Sequence, residues 1–159
     1  MGEKIELNRE EIIGIFPKLL NDLGFKITSK ATPKYNCIAW AYNYDDRWMQ
    51  YGGQYELDGV MYWWPDGVDN SPHIDAYIKA FQILGYEKCD DWKHEDGFVK
   101  VALYYDIETF DCTHAARERL NGTWTSKLGK SNDIAHGNPY TIEGDSYGKV
   151  ACILKRKWE

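Results

Sequence analysis

The sequence has no excess of basic charge, no long apolar run and no closely spaced cysteine pair. Its 19 Lys and Arg residues stand against 25 Asp and Glu residues, a net charge of −6. This charge repels phosphate backbones, so we expect no nucleic-acid partner. No stretch reaches the ~18 consecutive apolar residues of a spanning helix, so we expect no membrane segment. The N-terminus lacks the pattern of a secretory signal, and the expected location is the cytoplasm.

The cysteines are spaced too widely for a C-x-x-C redox or zinc motif. A cytoplasmic chain of this length does not need disulfides, so the four are predicted to be free thiols. They are Cys37, Cys89, Cys112 and Cys152. The same spacing predicts no metal and no cofactor.

The rest of the composition is that of a globular protein. The chain has 159 residues, 43% of them hydrophobic, which is enough to bury a core without staples. We expect one domain over residues 1–159.

Helix signals dominate the first half of the sequence. Asn8 and Glu11 have the spacing of a capping box, and Pro17 then kinks the helix or divides it in two. Ser71-Pro72 predicts the start of a later helix, with Ser71 as its N-cap. Residues 44–70 between them are expected to form an irregular loop.

Strand signals dominate the second half. The short β-rich segments after residue 97 are interrupted by Asn121-Gly122, the strongest short hairpin signal. Helices followed by strands predict an α+β fold, with N-terminal helices on one side of a C-terminal antiparallel sheet.

A candidate nucleophile lies in the segment YNCIAWA. Cys37 stands where a short helix is expected to begin, and the free N–H groups of a helix N-terminus lower a thiol pKa. If no base lies near it, Cys37 is more simply interpreted as a buried cysteine of the hydrophobic core.

A candidate base lies in the segment CTHAAR. His114 is expected near the start of a strand, sharing a face with Cys112, while Thr113 and Ala115 point the other way. The alternative is that His114 has no catalytic role and forms hydrogen bonds only with the backbone.

The motifs NC-x-A-W-A and THAAR…W-x-S-K-L-G resemble an uncharacterised, mostly bacterial domain-of-unknown-function family. More distantly, their order resembles the papain-like amidases and peptidases of the cysteine-histidine-dependent class. That resemblance implies a papain-like fold, with Cys37 as nucleophile and His114 as general base and acid.

The resemblance places the third catalytic residue at Ser126, about a dozen positions after His114. Serine departs from the family pattern, because a hydroxyl orients an imidazole only weakly. Asp133 and His136 are the reserve candidates. The backbone N–H of Cys37, with Asn36 or Tyr35, is expected to bind the oxyanion.

Four further residues are candidates for substrate contact. The aromatic pair Trp63 and Trp64 offers a flat binding platform, or else closes the long loop against the core. Arg117 and Lys127 lie on the predicted hairpin strands, where they either clamp an anionic group or serve solubility.

These observations favour a cysteine hydrolase, an amidase or peptidase acting on a peptide or other amide. An alternative is a non-catalytic acidic module, of protein-binding or immunity type, on the same fold. A lesser alternative makes Cys37, His114 and His136 the ligands of a metal.

Overall fold

The computed structural model describes residues 6–158 and has an α+β architecture. Its α-helices in this range are α1 (Arg9–Ile15), α2 (Cys37–Ala41) and α3 (Ile74–Ile83), and its 3₁₀ helices are Pro17–Asn21 and Pro139–Ile142. The strands are β1 (Lys26–Ile27), β2 (Trp48–Met49), β3 (Tyr55–Leu57), β4 (Val60–Trp63), β5 (Glu87–Cys89), β6 (Phe98–Tyr105), β7 (Cys112–Glu118), β8 (Trp124–Lys127), β9 (Asp133–His136) and β10 (Lys149–Lys157).

Seven of these strands form an antiparallel sheet in the order β1-β9-β8-β7-β6-β10-β5. The remaining three form a small mixed sheet, in which β4 pairs with β2 in parallel and with β3 in antiparallel fashion. This small sheet lies within residues 44–70, so the expectation of an irregular loop there was wrong.

Helices cover both faces of the large sheet. Alternate residues of β6 face opposite sides: Leu103 belongs to a core with residues of α2 and α3, and Tyr104 belongs to a core with Ile12 of α1. The expected packing on one side only is therefore corrected. Two separate cores form because α1 and α2 pack on opposite faces of the sheet.

The start of the chain follows its local signals. The Asn8 side chain accepts from the Glu11 amide at 2.9 Å, and the Glu11 side chain accepts from the Asn8 amide at 3.1 Å. Helix α1 stops at Ile15, and Pro17 begins the 3₁₀ helix. Of the two predicted outcomes, the structure has two short helices, since proline cannot continue the hydrogen-bond ladder.

The N-cap of α3 differs from the prediction. His73, not Ser71, is the capping residue, and its Nδ1 accepts a hydrogen bond from the Asp75 amide at 3.0 Å. The Ser71 hydroxyl instead accepts from the His73 amide at 3.1 Å, so the helix begins two residues later than expected.

The predicted hairpin joins β7 to β8. The Gly122 amide donates to the Arg119 carbonyl at 2.8 Å, and Gly122 has φ 85°, a value that favours glycine. A register shift opposite Tyr104 and Tyr105 interrupts the other edge of β7. Because of it, Cys112 packs in the core under α3 while His114 packs against Tyr104, so the two do not share a face as expected.

Between residues 6 and 158, none of the helices has both the length and the apolar character needed to cross a membrane.

Candidate functional site

Cys37 is the first residue of α2, as the sequence predicts. Asn36 is the N-cap, and its Oδ1 accepts from the Ala39 amide at 3.0 Å. The same Oδ1 accepts from the Met49 amide at 3.1 Å, and Nδ2 donates to the Met49 carbonyl at 3.0 Å. The Asn36 side chain therefore clamps the helix start to β2.

The Cys37 thiol is neutral in this structure. Burial raises its pKa to about 11, although the amides of Ala115, Ile38 and Cys37 and the charge of Lys127 act in the opposite direction. The expectation of a lowered pKa is corrected. Desolvation dominates because α2 is only five residues long and has few aligned peptide dipoles.

His114 is completely buried in a box of aromatic rings. Its ring stacks on Tyr147, with centroids 3.9 Å apart and planes 10° apart, and meets the edge of Tyr104 at 5.1 Å. Burial holds the pKa of His114 well below its usual value, and the neighbouring His136 acts in the same direction. The imidazole is therefore neutral.

A hydrogen-bond chain connects His114 with two of the other predicted residues. The Nε2 atom of His114 lies 3.0 Å from Ser126 Oγ, which lies 2.8 Å from the Nε2 atom of His136. At the far end, the Nδ1 atom of His136 lies 2.9 Å from the carbonyl oxygen of Asn138. Sequence reasoning named all three side chains and gave Ser126 the role of orienting His114, but it did not predict the link from Ser126 to His136.

The direction of this chain follows from its last member. A carbonyl only accepts, so Nδ1 of His136 donates and its Nε2 accepts from the Ser126 hydroxyl. Ser126 Oγ then accepts from Nε2–H of His114. Burial lowers the pKa of His136 to about 4, against the hydrogen bond to Asn138, which agrees with a neutral ring. The lone pair of His114 is thus on Nδ1.

The Nδ1 atom of His114 is buried and, within residues 6–158, has no hydrogen-bond partner. The Cys37 sulfur lies close to the next residue of the strand, because the backbone amide of Ala115 points at it. No hydrogen bond joins the thiol to the imidazole among the described side chains. The thiol thus lies against the backbone of β7, one residue beyond His114, without pairing with the imidazole.

Tyr35 and Asp133 form a buried pair beside the site. The Tyr35 hydroxyl donates to Asp133 Oδ2 at 2.7 Å. Burial raises the pKa of Asp133, while the Tyr35 hydrogen bond and the charge of Lys127 lower it. Tyr35 is therefore already engaged as a donor, and Asp133 has no hydrogen bond to His114.

Lys127 is fully buried rather than a surface charge. Its Nζ donates to the carbonyls of Gly129 and Ser131 at 2.6 and 2.7 Å. Burial lowers the pKa of Lys127 to about 8, and the charge of Asp133 opposes that shift. Solubility does not explain this residue, and its positive charge lowers the pKa of the Cys37 thiol.

The aromatic pair divides between two environments. Trp64 is 3% exposed, donates from Nε1 to the carbonyls of Val68 and Asp69, and packs on Tyr77, so it is a core residue rather than a platform. Trp63 is partly buried against Tyr42 and Tyr44. The role of Trp64 as a substrate contact is corrected.

Arg117 is half-buried on β7. Its guanidinium lies 4.5 Å from the centre of the Trp40 ring and donates to the Trp40 carbonyl at 3.2 Å. Lys127 donates instead to the carbonyls of Gly129 and Ser131, so the two cations have no common hydrogen-bond partner.

The metal alternative does not fit the geometry. Within the described part of the chain, no cluster of three or more His, Cys, Asp or Glu side chains has an arrangement suited to a metal ion. Cys37, His114 and His136 therefore do not form a ligand set.

Sequence reasoning missed Tyr104 and Tyr147, which enclose the imidazole. Tyr104 lies inside strand β6, and the strand pattern accounts for it without reference to a site. Tyr147 lies in a loop, 33 residues after His114, and belongs to no motif. No local signal connects either residue with the site.

Comparison with known proteins identifies one family. No curated protein and no solved structure matches the chain. A family model described as a domain of unknown function matches residues 26–155, a range that contains α2 and all seven strands of the large sheet except the end of β10. The chain therefore belongs to the family named Domain of unknown function (DUF7689).

Proposed function

We propose that this protein is a cysteine hydrolase, an amidase or peptidase, with Cys37 as its nucleophile and His114 as its general base and acid. One observation carries the proposal: the Ser126–His136 chain holds the His114 tautomer that leaves the Nδ1 lone pair free and buried. A general base needs a free lone pair in a fixed orientation. The order of the sequence motifs, which resembles that of papain-like amidases, adds to this support.

The two neutral groups suggest a specific course for the reaction. Nδ1 takes the thiol proton as the Cys37 sulfur attacks the carbonyl carbon of the amide. The protonated imidazole then gives this proton to the leaving nitrogen as the C–N bond breaks, which leaves a thioester on Cys37. Nδ1 next takes a proton from water, whose oxygen attacks the thioester, and the released thiolate recovers that proton.

Ser126 and His136 are positioning residues in this scheme. The serine alone is a weak orienting group, but His136 fixes the direction of its hydroxyl. Cys37 and His114 must approach each other when substrate binds, because they do not pair in the free protein. We place the reaction in the cytoplasm, in keeping with four cysteines that remain free.

A second candidate is a non-catalytic module that binds another protein through this fold. The raised pKa of Cys37 favours it, since a thiol that stays protonated is a poor nucleophile. The two candidates differ in whether Cys37 accepts an acyl group.

Acylation by an aryl acetate, followed by peptide mapping, tests the proposal. We expect the acetyl group on Cys37, and we expect His114→Gln to slow its transfer by about 100-fold or more, as loss of a general base does. Cys37→Ala should abolish it. Cys152→Ser and His73→Asn are matched controls, because they remove another thiol and an exposed histidine while asparagine keeps the N-cap of α3.

Acetylation spread evenly over the four cysteines, or persisting at the same rate in Cys37→Ala, would refute the hydrolase and favour the binding module. Circular dichroism of each variant separates loss of chemistry from loss of folding. If His114→Gln does not fold, the comparison of Cys37→Ala with Cys152→Ser still decides.

A further inference from the structure

We propose that a cleft lined by Arg117, Arg119 and Arg156 binds a small phosphate monoester. The cleft has a volume of about 370 Å³ and lies beyond the end of α2, against Ala41 and Asn43. Cys37 does not line it, so this proposal does not depend on the hydrolase.

Strand register brings the three arginines together. Arg117 on β7 pairs with Val101 of β6, and Arg156 on β10 pairs with Val99 of the same strand. Val99 and Val101 are two residues apart and face the same side of the sheet. Arg119 follows Arg117 by two residues, just after the end of β7. All three side chains therefore leave one face of the sheet at one end.

Most guanidinium donors in the cleft are free of protein partners. A guanidinium has five N–H donors. Arg117 uses one on the Trp40 carbonyl, and Arg156 uses one on the Leu84 carbonyl at 3.4 Å. None of the three arginines forms a salt bridge within residues 6–158.

The arrangement is costly in the absence of an anion. Burial, then Arg119, and more weakly Arg156, lower the pKa of Arg117, which places the three like charges within electrostatic range of one another. The carboxylate of Glu118 beside them is fully buried and turns to His94. The protein has six more acidic than basic residues, yet within residues 6–158 no carboxylate forms a salt bridge with these arginines, and the opposing effects of Tyr86 and Asp45 on the pKa of Arg117 are smaller than that of Arg119.

The walls of the cleft indicate the class of ligand. Arg117 and Arg119 lie over the Trp40 ring, and Arg156 lies 5.1 Å from the centre of the Tyr86 ring, so each guanidinium group is held against an aromatic ring. Forked donors suit the oxygens of a phosphate, and a cluster of three cations suits a dianion better than a carboxylate. Trp158, 48% exposed, adds an aromatic surface for the rest of the ligand.

Calorimetric titration with phenyl phosphate at constant ionic strength tests this site. We expect saturable binding that is tighter than for inorganic phosphate, and weaker binding of benzoate. Arg119→Gln should raise the Kd about tenfold or more, since each lost hydrogen bond to a charged group weakens binding by that order. Arg119→Lys should lie between, because it keeps the charge but loses the fork.

Lys157→Gln is the matched control, because it removes one exposed positive charge from β10 outside the cleft and should leave the Kd unchanged. Arg119→Gln should also unfold at the same or a higher temperature without ligand, since it relieves repulsion. Absence of saturable binding, a preference for benzoate, equal losses in Arg119→Gln and Lys157→Gln, or a lower unfolding temperature of Arg119→Gln would each overturn the proposal.

Discussion

His114 and Ser126 lie twelve residues apart in the chain, and their side chains meet at 3.0 Å between Nε2 and Oγ in the buried interior. The β7–β8 hairpin brings them together, although the ladder between these strands pairs only Arg117 with Thr125 and Glu118 with Trp124. Beyond those pairs the serine hydroxyl, not the backbone, bridges His114 to His136 on β9.

Removal of the bridging hydroxyl should be destabilising. Ser126→Ala leaves two buried imidazole nitrogens without partners, and each unsatisfied group costs about 1–3 kcal/mol. We expect the free energy of unfolding to fall by at least the lower of these values in urea titrations followed by tryptophan fluorescence. Ser146→Ala, on an exposed residue, should change it by less than about 0.5 kcal/mol.

The same chain should produce non-additive energies. If His136→Gln is combined with Ser126→Ala, the double variant should lose less stability than the two single variants together, by about 0.5–3 kcal/mol. Strict additivity would show that the serine and His136 act independently.

Stability should fall as the solution becomes more acidic. Burial lowers the pKa of His136 to about 4 in the folded protein, while the unfolded chain has a value near ~6.5. Between pH ~6.5 and about 4, the His136 side chain therefore binds a proton in the unfolded state but not in the folded state. The stabilisation is thus complete above pH ~6.5 and is lost progressively as the pH falls toward 4, with a slope of at most about 1.4 kcal/mol per pH unit from this residue.

Urea titrations between these pH values measure the effect against His136→Gln. The contributions of the buried carboxyls Asp133 and Glu118 are common to both proteins and cancel in the difference. We expect the advantage of the unsubstituted protein to shrink with decreasing pH. Parallel curves would contradict the assignment of a neutral, buried His136.

The stability of the start of α2 should depend on both the oxygen and the nitrogen of the Asn36 side-chain amide. Asn36→Ala removes three hydrogen bonds, one of which is the N-cap bond from Ala39, and we expect a loss of about 2–4 kcal/mol in the free energy of unfolding. Asn36→Asp is the matched variant, because it keeps the acceptor for Ala39 and loses only the donor to the Met49 carbonyl. Its loss should be smaller, and an equal loss would contradict the capping role.

Local sequence signals predicted the elements whose energetics are local. The capping box at Asn8, the helix start at Cys37 and the turn at Asn121-Gly122 each involve residues within four positions of one another. The change from helical to strand patterns also predicted the α+β class. Short-range hydrogen bonds and backbone preferences suffice for these features.

The errors in the predicted structure arose mainly where segments distant in the sequence pair or pack together. A register shift in β7 put Cys112 and His114 in different cores, and pairing with β2 and β3 turned part of the expected loop into a sheet. The register shift has no local pattern, because it depends on which strands are neighbours. The β3–β4 hairpin does have one: Asp58-Gly59, both with positive φ, form a two-residue hairpin turn that the sequence reasoning missed.

The sequence by itself determined the residue types of the candidate site and the helix start that carries Cys37. Only the tertiary structure decided their charges and partners: burial made the thiol, His114 and His136 neutral, enclosed Lys127 among carbonyls, and gathered three arginines at one sheet end. The reason is that desolvation and Coulomb energies depend on surroundings contributed by the whole chain, whereas helix caps and tight turns depend on adjacent residues.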